Sequence, residues 1–328
     1  MLEERIAEAL IPLALGLALD AAYPSHGGPL LSVHPVHTSY VMAMRLQGAL
    51  RRFGRAGGAA LWALVVGVHA LAYGAALWAA WRAGMIPWIL VSSYVVKVSV
   101  PVRLLFEQVG EVGSRLGSGD LSGAREAAQG LVRRQLASAG AGHVASAAIE
   151  SLFESLVDGV TSPLLYYLLL GPIGALLQRL SNTMDGAVGF RDPQMEAVGW
   201  FSAKVDTALN YVPARLTAML EVLACRAPGG DAARALRTHS RYGGSTPSAN
   251  AGHPMSAAAG CLGVRLEKAG EYALGEGELP GPADVGRGLR LAAASLSIAL
   301  ALYVAALLAC AAGCPWVPWA PLRCKGIK

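Results

Sequence analysis

The chain alternates between long apolar runs and polar segments rich in arginine. A helix needs about 20 apolar residues to cross the hydrocarbon core of a bilayer. Four segments approach or exceed that length and are predicted to span, namely residues 6–23, 59–82, 84–106 and 289–313. Glu8 and Asp20 make the first of the four the weakest. No segment alternates apolar and polar residues as a half-buried strand does, so the pattern predicts an all-α, polytopic membrane protein.

A fifth apolar segment, residues 160–178, is interrupted by Pro163, Gly171, Pro172 and Gly174. Irregular backbone at membrane depth is tolerated only against protein or a wet cavity. Arginine is abundant in the polar segments on both sides of this one, and cytoplasmic loops carry an excess of Lys and Arg. A full crossing would place those segments on opposite sides of the membrane. We therefore expect a broken or re-entrant helical hairpin here.

The composition supports a membrane protein. Of the 328 residues 54% are hydrophobic and 15% are charged, whereas a soluble domain carries roughly 25% charged residues. The net charge of +5 is explained by basic cytoplasmic loops, so we expect a lipid bilayer and no nucleic acid as partner. We expect one membrane-embedded domain over residues 1–328, multi-pass in the cell membrane with its active face cytoplasmic. The polar regions that should carry the site are residues 23–58, 106–159 and 179–288.

Two polar regions and the cysteines give further expectations. Residues 106–150 have the pattern of amphipathic helices, and residues 226–256, rich in Gly, Ser and Ala, predict a long loop. The five cysteines show no C-x-x-C pair or zinc-ribbon spacing. We therefore expect structural cysteines and no disulfide framework.

Three carboxylates lead into the interrupted apolar segment. Glu150, Glu154 and Asp158 are spaced i, i+4 and i+8, which places them on one face of a helix. Like charges at this spacing repel, and unpaired carboxylates next to an apolar run are costly. A cation or basic ligand would relieve both costs, so the stripe is a candidate catalytic group; a solvated helix face is the alternative.

Further oxygen and nitrogen ligands follow the carboxylate stripe. Asn182 and Asp185 lie near glycines, and Asp206 and Asn210 share a helix face. Carboxylate and amide oxygens suit a hard cation such as Mg²⁺, although capping or surface pairing would also explain them. Arg215 could hold a phosphate in bidentate fashion.

The helix carrying these residues contains a proline. On an unbroken helix Arg215 would face away from Asp206, whereas a break at Pro213 would turn Arg215 toward the same pocket. We expect such a break.

Two weaker signals are turn-like. Ser248 and Asn250 lie in a small-residue segment that resembles a phosphate-cradling loop, as many turns do. His34 and His37 flank a His-Pro turn and are possible ligands. The P-loop pattern is absent from the sequence, so ATP, if used, is held in another way.

In their order along the chain, these motifs resemble the CobD/CbiB family of cobalamin biosynthesis, the membrane-bound adenosylcobinamide-phosphate synthases. The resemblance covers roughly residues 15–275 and a hydrophobic C-terminal helix. The matching positions are Asp20, Tyr23, Pro24, His34, Pro35, Val36, Ala124, Arg125, Val132, Arg133, Arg134, Glu150, Ser151, Glu154, Asp158, Gly159, Pro163, Leu164, Tyr166, Asn182, Thr183, Asp185, Val188, Gly189, Asp206, Asn210 to Thr217, Ser248, Asn250, Ala251 and Gly252. The sequence departs from the family pattern at Gln135, Ser155, Thr207 and Ala249.

The resemblance implies an ATP-dependent ligation of adenosylcobyric acid with an aminoalcohol phosphate such as (R)-1-aminopropan-2-ol phosphate. It implies ATP as substrate, Mg²⁺ as cofactor, and contact with other cobalamin-pathway enzymes. The expected catalytic residues are Glu150, Glu154, Asp158 and Asp185, and the expected metal ligands are Asp206 and Asn210. The expected substrate and phosphate ligands are His34, Arg134, Asn182, Arg215, Ser248 and Asn250.

Two other functions fit the same residues. Intramembrane carboxylates and a broken apolar segment also occur in transporters and ion pathways, and a non-catalytic membrane scaffold for corrinoid enzymes is a third reading. A transporter should show repeated halves with matching broken helices, whereas the sequence shows one broken segment. This favours an enzyme facing the cytoplasm.

Overall fold

The computed structural model describes residues 2–189 and 195–313. These residues are helical apart from loops and one short hairpin, which confirms the all-α prediction. The helices are α1 (Leu2–Ala22), α2 (Pro35–Leu50), α3 (Gly54–Ala83), α4 (Met85–Ser99), α5 (Val102–Gly117), α6 (Leu121–Gln129), α7 (Ala141–Leu156), α8 (Ser162–Leu170), α9 (Pro172–Val188), α10 (Glu196–Ala224), α11 (Ala232–Tyr242), α12 (Gly252–Leu262) and α13 (Pro282–Gly313). A π-helical turn covers Val157–Thr161, and short 3-10 helices cover Gly28–Val33 and Arg51–Phe53.

Three segments of the described chain are long and apolar enough to cross a membrane. They are Pro35–Ala83, Met85–Gly117 and Pro282–Ala309. The predicted spans at 59–82, 84–106 and 289–313 lie largely within these segments. The predicted span at 6–23 forms α1 but is not among them, so a count of four spans is not confirmed.

The single domain expected from the sequence divides into two compact units. The first consists of residues 1–101, 162–206 and 302–328, and the second of residues 102–161 and 207–301. In the first unit α1 packs on α4, and α2, α3 and α9 enclose an apolar core. Gly58 allows a close approach there, because a Cβ atom at this position would lie 2.1 Å from the carbonyl oxygen of Val198.

The interrupted apolar segment forms a helical hairpin in the first unit, and its predicted re-entry into the membrane stays a prediction. Helices α8 and α9 pack against each other around Gly171, which has a φ of +71° and therefore favours glycine. Gly174 lies at the contact, where a Cβ atom would be 2.3 Å from the carbonyl oxygen of Tyr166. Pro172 opens α9, a position at which proline is well tolerated.

The second unit contains α5 to α7, the π-helical turn, most of α10, all of α11 and α12, most of α13 and a small hairpin. The hairpin pairs β1 (Leu266–Lys268) with β2 (Tyr272–Leu274) in antiparallel register, and Leu266 faces Leu274. It packs on α7, where the backbone N–H of Glu267 donates to Ser146 Oγ at 2.8 Å. The sequence pattern did not predict this hairpin, because strands of three residues are too short to show alternation.

The long loop predicted at residues 226–256 is wrong. Most of it is α11 and the start of α12, and α11 begins where the side chain of Asp231 accepts from the backbone N–H groups of Ala233 and Arg234. Small residues let the two helices approach closely: a Cβ atom at Gly260 would lie 2.6 Å from Thr238 Oγ1. The Gly, Ser and Ala content therefore reflects tight packing as well as turns.

The expectation of no disulfide is also wrong. Cys225 and Cys261 are disulfide-bonded, with Cα atoms 5.6 Å apart, and both are buried. They lie 36 residues apart in sequence, so no local spacing motif predicted the bond. Cys314 and Cys324 lie outside the described residues.

Candidate functional site

Glu150 lies at the centre of a hydrogen-bonded cluster in the second unit. Arg134 binds its carboxylate through two guanidinium nitrogens, each at 2.9 Å. The hydroxyls of Ser146 and Tyr272 also donate to it, each at 2.6 Å. Glu150 is only 4% exposed, and both its oxygens accept hydrogen bonds. The structure thus pairs a predicted catalytic carboxylate with a predicted phosphate ligand.

The other two carboxylates of the predicted stripe have different surroundings. Glu154 is exposed on α7, whereas Asp158 is half-buried in the π-helical turn. Helix α7 ends at Leu156, so Asp158 lies in the wider π-helical turn and not on the regular α-helix that the i, i+4, i+8 spacing assumes. The Thr161 hydroxyl contributes to this turn by donating to the carbonyl oxygen of Leu156, five residues earlier, at 3.1 Å. Such π-helical turns occur frequently at functional sites.

Helix α10 runs without a break through Pro213, contrary to the expected kink. Its buried face carries polar side chains at helical spacing, and these are Asp206, Asn210, Thr217 and Glu221. Asp206 is the last residue of the first unit, and the other three belong to the second. Continuous α10 therefore keeps Asp206 and Asn210 one turn apart on one face.

Arg215 contacts the predicted phosphate loop although α10 is continuous. Its guanidinium lies 3.5 Å from Asn250 Oδ1 and 3.4 Å from the carbonyl oxygen of Ala249. It also stacks on the Tyr211 ring, 3.5 Å from the ring centroid. The long side chain reaches the loop without the helix break that the sequence argument required. Asn250 is fixed independently, since its side-chain amide donates to the carbonyl oxygen of Thr207 at 2.9 Å.

Ser248 shapes the same loop from an exposed position. The backbone N–H groups of Asn250 and Ala251 each lie 3.3 Å from its hydroxyl oxygen. Arg215, Ser248 and Asn250 are thus brought together in the second unit, as a phosphate site would require.

His34 belongs to a cluster of nitrogen-bearing side chains in the first unit, with His26 and Lys97. Its ring lies 4.4 Å from that of His26, and His26 Nδ1 lies 2.7 Å from Lys97 Nζ. Burial, with the neighbouring His26 and Lys97, lowers the pKa of His34 to about 4. The side chain of His34 also accepts from the backbone N–H of His37 at the start of α2, so the two predicted histidines are joined by a helix cap.

Asn182 and Asp185 lie on α9 in the first unit and are half-buried. Arg179 donates to Asn182 Oδ1 at 3.3 Å. Gly189 leaves space for the Asp185 carboxylate, because a Cβ atom at position 189 would lie 1.9 Å from Asp185 Oδ1. This contact explains why a glycine follows four residues after the aspartate.

The oxygen ligands of α10 fit a hard cation by their chemistry. Asp206 is 9% exposed and Asn210 is fully buried, and a magnesium ion keeps several waters or phosphate oxygens besides a few protein oxygens. No group of three or more His, Cys, Asp or Glu side chains in the described ranges is arranged to hold a metal. The assignment of Asp206 and Asn210 as Mg²⁺ ligands therefore stays a prediction.

Sequence reasoning missed several polar residues. Tyr272, which binds Glu150, lies 122 residues away from it in sequence. His239 and His253, on α11 and α12, are hydrogen-bonded to each other at 3.0 Å. Glu221 is fully buried, and neither carboxylate oxygen has a hydrogen-bond partner. Only Glu221 had a sequence signal, as its i+4 spacing from Thr217 continues the polar face of α10.

Comparison with known proteins places the chain in a family. The profile of the family described as CobD/Cbib protein matches residues 13–310. A "Probable cobalamin biosynthesis protein CobD" from Aeropyrum pernix is 48% identical, over 93% of this chain and 98% of the relative. A protein of the same name from Thermoplasma volcanium is 30% identical, over 86% and 92%.

A bacterial relative gives the same result. The "Cobalamin biosynthesis protein CobD" of Rhodobacter capsulatus is 35% identical, over 86% of this chain and 89% of the relative. No solved structure matches the chain. Since the family profile covers most of the chain and these relatives align over nearly their full lengths, the chain belongs to the CobD/Cbib protein family.

Proposed function

We propose that this protein acts in cobalamin biosynthesis and joins adenosylcobyric acid to an aminoalcohol phosphate in an ATP-dependent reaction. The product is adenosylcobinamide phosphate, and (R)-1-aminopropan-2-ol phosphate is the proposed amine. The names of the full-length relatives support the pathway. The observation that carries the chemistry is the meeting of Arg215 with Asn250 and its loop, because a guanidinium beside backbone and amide groups suits a phosphate.

The reaction forms an amide from a carboxylate and an amine. ATP transfers its terminal phosphoryl group to a propionate carboxylate oxygen, which converts a poor leaving group into a phosphate. The ammonium group first loses a proton to a base, and its nitrogen then attacks the acyl carbon. The C–O bond to phosphate breaks, and the nitrogen loses a second proton as the amide forms. Glu154 and Asp158 are the proposed bases, because Glu150 already accepts from Arg134, Ser146 and Tyr272. Asp185 stays a candidate in the first unit.

Asp206 and Asn210 are the proposed Mg²⁺ ligands, and the ion would neutralise phosphate charge. The proposed setting is the cell membrane, crossed several times, with the polar regions on the cytoplasmic side. The three apolar segments support insertion in a bilayer. Other enzymes of the pathway are proposed partners.

The direct test is ligation by the purified protein in detergent. Adenosylcobyric acid, amine phosphate, ATP and Mg²⁺ are supplied, and the amide product is measured by mass spectrometry. We expect product only when all four are present. Asp206→Asn should weaken the Mg²⁺ dependence, and Arg215→Lys should raise the KM for the phosphate substrate, because an ammonium cannot replace a planar guanidinium. Absence of product, with solute movement into vesicles containing the protein, would favour a transporter.

A further inference from the structure

Two histidines, His239 and His253, lie close enough to Arg215 to interact with its charge. His239 Nε2 lies 3.0 Å from His253 Nδ1, and the ring centroids are 5.2 Å apart. His239 lies on α11 and His253 in the first turn of α12, so the loop between these helices brings the rings together. Gly243 leaves room for the contact, because a Cβ atom there would lie 2.9 Å from His253 Nδ1.

The histidines and Arg215 form a cluster of basic groups. Burial and the positive charge of Arg215 lower the pKa of His239, and they lower that of His253 to about 4. Across the part of the chain that the structure describes, no carboxylate forms an ion pair with Arg215, His239 or His253. All three side chains are partly exposed, so a ligand can reach them.

Hydrogen bonding between the two rings has a chemical consequence. A neutral imidazole carries one N–H group and one bare nitrogen. Whichever ring donates in the His239–His253 bond, the outer nitrogens of the pair are then one N–H donor and one bare nitrogen. The neutral pair can therefore donate one hydrogen bond to an anion. It can donate a second after the bare nitrogen takes up a proton.

We propose that His239 and His253, together with Arg215 and Asn250, form a binding site for the phosphate group of a phosphorylated substrate. This inference rests on the proposed function, because it assigns new ligands to its phosphate-binding loop. A phosphate dianion supplies the negative charge that the cluster lacks and the acceptors that Arg215 and the outer imidazole nitrogens need. The phosphate comes from the aminoalcohol phosphate or from the nucleotide, and binding experiments separate these sources.

Two variants remove the outer nitrogens while keeping the bond between the side chains. His239→Gln retains a polar atom near the position of Nε2, and His253→Asn retains one near that of Nδ1. His143→Gln is the matched control, since His143 is partly exposed in the same unit and lies 3.9 Å from Glu267. Thermal melting of all three variants in detergent reports whether the fold is kept.

Binding is measured by calorimetry on the full chain with O-phosphoethanolamine, with AMP-PNP and with inorganic phosphate. We expect each variant to weaken binding of one phosphate probe about tenfold or more, as loss of a hydrogen bond to a charged group does. The probe that is weakened identifies the source of the phosphate. His143→Gln should bind all probes as the parent does.

Ligation kinetics separate this inference from the proposed function. Suppose that the parent forms product, and that the folded variants bind every probe with the parent's affinity and ligate with the parent's KM. The histidine site is then wrong and the proposed function stands. If the parent forms no product but binds a phosphate probe in a histidine-dependent manner, the site stands and the proposed function is wrong. Should a variant fail to fold, the other variant decides.

Discussion

The ion pair between Arg134 and Glu150 offers the sharpest test of the structure. Arg134→Met removes the guanidinium and leaves a carboxylate that is 4% exposed and retains only two hydroxyl donors, Ser146 and Tyr272. Removing one partner of a buried ion pair costs about 3–5 kcal/mol, because the remaining charge is buried without compensation. The corresponding fall in melting temperature is roughly 10 °C.

Two further variants isolate the electrostatic cause. Arg134→Met combined with Glu150→Leu removes both charges, so it should recover part of the lost stability. Arg115→Met is the matched control, because Arg115 pairs with Glu111 and Asp120 at an exposed position where solvent screens the charges. It should melt close to the parent.

The assay is thermal unfolding in detergent, followed by intrinsic fluorescence. A melting temperature of Arg134→Met equal to that of the parent would contradict the assigned ion pair. So would a double variant that melts below the single one, since that result would make the buried charge of Glu150 favourable by itself. The melting temperature of Glu150→Gln should lie between those of the parent and of Arg134→Met, because the amide keeps the shape of the side chain and removes its charge.

Three other predictions address the remaining polar groups. Burial raises the pKa of Glu221 well above its ordinary value of 4.5, so the folded protein retains a proton that the unfolded chain loses above that pH. Stability should therefore fall as the pH rises from 4.5, and Glu221→Gln should reduce this slope in melting curves; an equal slope would contradict the burial. Glu154→Gln and Asp158→Asn should lower kcat for ligation with little change in melting, and unchanged turnover in both would make the carboxylates a solvated face. A cysteine introduced at the exposed Ser245 should resist labelling from outside intact cells, and strong external labelling would mean that the apolar hairpin crosses the membrane completely.

Much of the fold follows from local patterns in the sequence. Apolar runs predicted helices in the regions of α3, α4 and α13, and glycine and proline predicted the break at Gly171. The i+4 spacing placed Asp206 and Asn210 on one face of α10. These features are readable because helix hydrogen bonds join residues four apart, so nearby residues decide which side chains share a face.

Tertiary structure decided the partners of those side chains. Glu150 is paired by Arg134 and by Tyr272, which lie 16 and 122 residues away in sequence. Tight contact between α11 and α12 brings His239 to His253, in a region that composition alone marked as a loop. Continuous α10 and the length of the Arg215 side chain, and not a helix break at Pro213, allow the contact with Asn250. Such contacts depend on how helices pack, and helix packing is set by the shapes of whole surfaces instead of by the spacing of residues along one element.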